Sequence, residues 1–392
     1  MKPRAYQAAT RELAAVYTAI FSISLGAGVV TPIIPLYARS LGASYVGIGL
    51  IGASYAIIYV VLAIPSGKLS DRIGRRAVIG ASASLSGVAS ILYLLAGSVN
   101  HLILIRAIEG MVWTLFWPSI EALTTEISGQ PSAGEAMGLS TASYGFGSMI
   151  GGFLGGLIVT CFGFRATFVL YLALSVVTAL LTVAIREEGS SSKRSFKAIG
   201  TPSTQPLTWD KATLVVACAV SLTYSIALGI VLTLFPVYAE GLGIETFWIG
   251  VLFATFWLGR IISFLCAGRL SDKLGRKAVL APALVGSAVA SLLVALSGGI
   301  ELVSGAILVM GISLGAIFPV TVALISDVVP SSSRGVAMGF FEASSGLGML
   351  IGPAVGGVMA EMFDPRYPYF LCMFISAVCT LVVLARLREF AT

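Results

Sequence analysis

Residues 67–76 read Gly67-Lys68-Leu69-Ser70-Asp71-Arg72-Ile73-Gly74-Arg75-Arg76, and residues 268–277 read Gly268-Arg269-Leu270-Ser271-Asp272-Lys273-Leu274-Gly275-Arg276-Lys277. Asp272 follows Asp71 by 201 residues, and the same offset carries Pro35 and Tyr37 onto Pro236 and Tyr238. It also carries Pro118 onto Pro319, Glu126 onto Asp327, Met137 and Gly138 onto Met338 and Gly339, and Gly147 onto Gly348. A register held without gaps over most of each half identifies the chain as two copies of one unit.

Outside these motifs the chain is apolar. Of its 392 residues 57% are hydrophobic and 11% charged, too much apolar surface for a water-soluble domain to cover. Apolar runs recur at about 20 residues, the length of helix that crosses the hydrocarbon of a bilayer. They predict an all-α integral membrane protein with twelve spans: 13–37, 44–66, 77–97, 101–123, 135–160 and 165–185, then 211–238, 246–267, 278–298, 301–325, 335–362 and 367–386. Residues 1–186 form one six-helix bundle and 211–392 the other, joined by a polar, Ser-rich linker at 187–210. The first span follows Lys2, Arg4 and Arg11, is longer than a signal-peptide core and has no clear small-residue cleavage site, so it is read as retained. Cys161, Cys218, Cys266, Cys372 and Cys379 form no CxxC pair and no cluster with His101, so neither a metal site nor a disulfide framework is expected.

Lys and Arg collect on one side of these spans. Lys68, Arg72, Arg75, Arg76, Lys193, Arg194, Arg269, Lys273, Arg276, Lys277 and Arg334 share the side of both termini, while the other side holds Arg39, Arg165 and Arg366. The positive-inside rule therefore puts both termini in the cytoplasm of a multi-pass cell-membrane protein. The net charge of +6 follows from this topology and calls for no nucleic-acid partner. Six spans per half relate the repeats by an axis along the membrane normal, which places a solute site near the midplane between them.

The ten-residue motif resembles the signature loop between the second and third helices of the major facilitator superfamily, and its copy falls between the eighth and ninth spans. Gly67, Gly74, Gly268 and Gly275 let backbones turn or approach, Asp71 can cap a helix N-terminus, and Arg75 and Arg276 stay in water. A merely basic loop obeying the positive-inside rule is the alternative, but it does not require the repeated Gly and Asp. The resemblance implies a major facilitator fold working by alternating access. It also implies a gating role, in which Asp71 meets the start of the eleventh span near Arg334, and Asp272 the start of the fifth, when the site opens outward.

The fourth span carries charge into the bilayer. Leu102, Arg106 and Gly110 resemble a further superfamily pattern, with Glu109 where drug exporters often carry Gln. An arginine in hydrocarbon costs ~2.5–3.5 kcal/mol on insertion scales, so it must face a cavity or a partner, and Glu109 lies one turn away. Arg106, Glu109, Trp113 and Trp117 share one helical stripe, with Glu121 near its edge. The pair can instead simply hold helices together, with the tryptophans as packing or interfacial anchors. Ile307 and Met310 occupy the equivalent places in the second half, so the repeat itself does not demand the charges. In the eleventh span Glu342, opposite Thr141 of the first repeat, has Ser345 and Met349 on its face. A lone carboxylate there can carry a proton, contact a cationic substrate or bond a neighbour. Arg260 in the eighth span is read as able to snorkel to the basic side, structural or functional alike.

Glycines mark two further spans. Gly348, Gly352, Pro353, Gly356 and Gly357 are matched in the fifth span by Gly147, Gly151, Gly152, Gly155 and Gly156, a spacing that lets helices pack closely. In the superfamily's drug/proton antiporters the proline form is characteristic of the fifth helix, whereas here it lies on the eleventh. No phosphate loop, HExxH or nucleophile–base set is present, so neither ATP-driven pumping nor catalysis is expected, and a gradient rather than a cofactor supplies the energy. The reading is a proton-coupled secondary transporter exporting drugs or amphipathic metabolites, with Arg106, Glu109 and Glu342 as coupling residues and Trp113, Trp117, Tyr144, Ser345 and Met349 lining a cavity. Its alternatives are proton-coupled uptake of an organic anion or sugar and, further off, a receptor or scaffold. With both halves in one chain, it is expected to act as a monomer.

Overall fold

The computed structural model describes residues 3–128, 133–185, 210–330 and 333–387, so the expected linker lies almost wholly outside the described residues. Among the described residues, twelve spans are long and apolar enough to cross a membrane. The first half comprises α1 (Pro3–Val30), α2 (Ile33–Ser40), α3 (Tyr45–Ile73), α4 (Arg75–Leu95), α5 (Val99–Ser128), α6 (Ala133–Phe162) and α7 (Phe164–Ala184). The second comprises α8 (Lys211–Thr233), α9 (Phe235–Gly241), α10 (Thr246–Leu274), α11 (Arg276–Leu296), α12 (Ile300–Val328), α13 (Arg334–Met362) and α14 (Tyr367–Arg386). The first and seventh spans are each split near one end, at Thr31–Pro32 and at Leu234, beside Pro32 and Pro236, whose missing N–H donors weaken the helix there.

The signature segment is not the loop that its polarity suggests. α3 runs through Asp71 to Ile73, and α4 begins at Arg75, so a single residue, Gly74, makes the turn with φ 93°. Gly275 does the same between α10 and α11 at φ 93°, a conformation that side chains with a Cβ disfavour. Asp71 therefore sits in the last turn of α3 rather than capping α4, whose N-cap is Gly74 without a side-chain bond. The polar ends of these helices extend past the apolar run, which is why hydropathy ended the second span at residue 66.

Each half packs in the same pattern. α1 lies on α6, α3 on α5 and α4 on α7, and in the second half α8 lies on α13, α10 on α12 and α11 on α14. Polar bonds repeat at the duplication offset: Ser86 with Ser175 at 2.9 Å and Ser287 with Ser376 at 3.4 Å. The glycine rows set the closest approaches. A Cβ at Gly151 would meet the Leu25 carbonyl and the Gly28 backbone of α1, and one at Gly352 the Ile226 backbone of α8. Such packing, not a hydrophobic force, holds helices together in lipid.

The halves meet along α3–α13 and α6–α10. Gly49 rests on Pro353 and Gly357, and Gly156 on Gly250 and the Thr246 carbonyl, at the face opposite the signature segments. There α2 also touches α9, and the Glu361 carboxylate accepts the Tyr45 backbone N–H at 2.7 Å, capping α3 from the other half. Glycine contacts across the halves end near mid-span, at Gly346 with Val60 and Gly145 with Ile261. Toward the signature segments, a Cβ at Gly67, Gly138, Gly268 or Gly339 would meet nothing within 4 Å. The halves part on that face, and a cleft runs in from it.

Gly151→Ala is expected to destabilise the folded bundle by about 1–3 kcal/mol through forced separation of α1 and α6. Gly138→Ala, added into open space, should leave the melting midpoint of the purified protein unchanged or slightly raised.

Candidate functional site

On α5 the Arg106–Glu109 pair forms as its one-turn spacing requires, with Nη1 to Oε2 at 2.6 Å. The carboxylate is 2% exposed, takes the Tyr93 hydroxyl of α4 at 2.7 Å and has Tyr171 of α7 within electrostatic reach. Arg106 lies 5.0 Å from the Tyr55 ring of α3, and Gly110 lets α5 approach the Tyr55 carbonyl closely. Glu109 thus turns into the core of the first half instead of opening on the cleft. The helical stripe put it beside Trp113 and Trp117, but the neighbouring tyrosines of α4 and α7, which no periodicity along α5 reveals, close it off.

One turn further along, aromatic rings cross between the halves. Trp113 lies 5.9 Å and Trp117 5.1 Å from Tyr144 on α6, and Tyr144 lies 5.1 Å from Trp257 on α10. Trp113, Trp117 and Tyr144 thus form one half-buried cluster, and the second half supplies Trp257. Ser345 bonds Ser225 of α8 at 2.7 Å, and Met349 packs at the α8–α13 contact beside Gly229. Both therefore support α13 more than they line the cluster.

Glu121 follows Trp117 by one turn of α5 and lies within electrostatic reach of Glu342 from the opposite half. The Tyr59 hydroxyl of α3 feels both carboxylates. Glu342 is exposed and Glu121 half-buried, so the two acids face the cleft from α13 and α5. Sequence reasoning located Glu342 and passed over Glu121 as a stripe edge; the i, i+4 spacing of Trp117 and Glu121 was the available signal.

Arg260 does not snorkel. It is 4% exposed, donates from Nη2 to the Tyr224 hydroxyl at 2.9 Å, and is ringed by Phe256, Trp257, Phe264 and Tyr224 at 5.0–5.7 Å. The aromatic residues one turn away on its own helix hold it inside.

At the signature segments each half closes its charges on itself. Arg75 bridges Asp71 at 3.8 Å and Glu126 at 2.8 Å, and Arg276 bridges Asp272 and, at 2.8 Å, Asp327. Arg334 donates to the Ser326 carbonyl at 3.1 Å. Asp71 and Arg334 are not joined, because the halves are apart on this face. Gly67 and Gly268 have open surroundings, and Gly74 and Gly275 are the turns.

The whole described architecture is that of one known family: the family model of the Major Facilitator Superfamily matches residues 16–253 and 218–391. The chain belongs to the Major Facilitator Superfamily. An uncharacterized MFS-type transporter of Methanocaldococcus jannaschii is 24% identical over 95% of this chain and 97% of its own length. Multidrug resistance protein 2 of Bacillus subtilis is 23% identical over 92% of this chain and 91% of its own. The crystal structure of the nucleoside transporter NupG, a D323A mutant, superposes with a TM-score of 0.79 at 14% identity, covering 96% of this chain and all of that one. This chain is accordingly a multi-pass secondary transporter of the cell membrane, resembling the drug:proton antiporter branch.

Within this superfamily fold Arg106 and the buried Glu109 close on each other. Glu109→Ala is expected to destabilise the first half by about 3–5 kcal/mol by leaving Arg106 buried without its partner. Replacing both residues with the pair found in the second repeat, Arg106→Ile with Glu109→Met, should recover most of the melting midpoint.

Proposed function

We propose that the chain exports amphipathic organic cations in exchange for protons by alternating access, with the signature segments and both termini in the cytoplasm. The observation that carries this reading is the facing of Glu121 and Glu342, one carboxylate from each half, at a cleft that opens on the basic side. Two facing carboxylates favour one positive charge between them, and a proton or an organic cation can supply it, but not both at once. Exchange follows from that competition. The rings of Trp113, Trp117, Tyr144 and Trp257 beside the acids offer an apolar, cation-attracting wall. Resemblance to a multidrug resistance protein over most of both chains supports the same direction.

Glu109 enters this scheme at one remove. Its carboxylate is closed from the cleft, so Arg106 and Glu109 serve as a fixed charge pair behind the site. Asp71 and Asp272 serve the other half of the cycle: when the basic face closes, they are positioned to bridge the halves they now leave unbridged. Uptake of an organic anion by proton symport remains the second reading, favoured by the uncompensated Arg260.

In proteoliposomes carrying an internal pH dye, a lipophilic cation is expected to drive proton counterflow in the wild type. Glu342→Gln and Glu121→Gln should each lower it by about tenfold or more, on the order of 1.4 kcal/mol of lost coupling. Cation flux indifferent to both substitutions would overturn the mechanism, and protons moving in the same direction as an organic anion would support symport instead. Asp71→Asn should slow turnover while leaving equilibrium binding of the cation largely intact; equal loss of both would remove the gating role.

A further inference from the structure

The two arginines inside the membrane are not alike. Arg106 has a carboxylate 2.6 Å away, whereas Arg260, the more deeply buried, has none within ion-pair distance among the described residues. Its Nη2 bonds a neutral tyrosine hydroxyl, and its Nε and Nη1 are buried with no acceptor. Aromatic faces offset part of the cost of a buried guanidinium, but they do not accept N–H bonds as oxygen does. Nor does the repeat impose this residue: the first-half equivalent of Arg260 is Tyr59, that of Glu342 is Thr141, and Val322 stands opposite Glu121.

The position of this guanidinium ties it to the cleft. Trp257 lies between it and the aromatic cluster, 5.0 Å from the Arg260 guanidinium and 5.1 Å from the Tyr144 ring. Tyr144 is in turn 5.1 Å from Trp117, which lies one turn of α5 from Glu121. A continuous run of rings therefore joins a pair of carboxylates at one end to an unpaired guanidinium at the other, across the boundary between the halves. The Tyr144 hydroxyl already lies within electrostatic reach of Arg260, so one ring separates the buried cation from the cleft.

We propose that this site takes bipolar aromatic solutes: the ammonium pole lies between Glu121 and Glu342, the flat ring stacks along Trp117 and Tyr144, and a carboxylate reaches Arg260 as Trp257 turns aside. The inference rests on the transport reading above and narrows its substrate class from amphipathic cations to aromatic zwitterions. A carboxylate supplies what Arg260 lacks, a charged acceptor for unused N–H donors, and a charge-assisted bond of this kind is among the stronger polar contacts a site can offer. Because the guanidinium is already desolvated, the solute's acid completes a pair without stripping water from both partners.

The test uses two dyes that share one ring system. Rhodamine 110 carries a free carboxylate and is a zwitterion, and rhodamine 123, its methyl ester, is a cation. Binding to the purified full chain in detergent, read by fluorescence anisotropy, is expected to favour rhodamine 110 by about tenfold or more. In Arg260→Met that preference should fall to about one, and in Arg260→Lys, which keeps the charge but loses the fork, it should be intermediate. Should Arg260→Met fail to fold, the wild type still decides: rhodamine 110 should raise the melting midpoint further than rhodamine 123 at equal concentration. Equal binding of the two dyes by the wild type, or a preference that persists in Arg260→Met, would overturn the inference. Preference for the zwitterion in a protein that moves no protons would remove the antiport reading and keep this one. Proton-coupled export of rhodamine 123 with no preference for rhodamine 110 would do the reverse.

Discussion

The architecture depends on the close backbone approach of α3 to α13 and of α6 to α10. In lipid, apolar side chains gain nothing by leaving their surroundings, so two bundles adhere only where their surfaces come near enough for dispersion and weak polar contacts to accumulate. Gly49, Gly156, Gly250 and Gly357 provide that nearness on one face. Where the glycines run out into open space, near Gly67 and Gly138, adhesion ends and the cleft begins. The same two helix pairs thus close one side of the molecule and open the other. A two-sided transporter needs such a contact to be strong enough to seal and small enough to break.

Charge is arranged around this seam in two ways. At the membrane surface Arg75 and Arg276 tie the ends of three helices together within each half, through Glu126 and Asp327, and leave the seam free. These surface pairs are worth little individually, and each of them closes within its own half. Inside the bilayer the cost of a lone charge is higher, and every such residue needs a physical account. Arg106 and Glu109 neutralise one another within the first half. Glu121, Glu342 and Arg260 form no ion pair among the described residues. That contrast, rather than the mere presence of charge, sets the Arg106–Glu109 pair apart from the other three.

The hydrogen bond from Tyr45 to Glu361 adds a polar element to the sealed face. An acid from one half caps a helix of the other, so opening that face leaves the cap to water. The second seam has no such cap: Thr160, the counterpart of Glu361 in the first repeat, bonds its own helix at Gly156. The pseudo-symmetry that builds the fold therefore does not extend to its closure, and the two seams need not part together.

The duplication, the twelve spans, the basic side and the glycine rows were all legible in the chain, because lipid imposes length and apolarity on each helix and glycine spacing declares close contact directly. The Arg106–Glu109 pair was legible too, since partners one turn apart on a helix must meet. Three things were not. The signature segment read as a loop because polar residues end an apolar run before the helix itself ends, and only Gly74 and Gly275 mark the true turns. Glu109 read as facing the cleft because helical periodicity gives an angle on one helix and says nothing of which neighbours cover it; Tyr93 and Tyr171 decided that. Arg260 read as able to snorkel to the surface because the rings that hold it come partly from α8 and because an absent carboxylate leaves no trace in spacing. Local periodicity determined which helices form and what each could offer. The packing of six helices against six decided which charges were paired and which were left waiting at the seam.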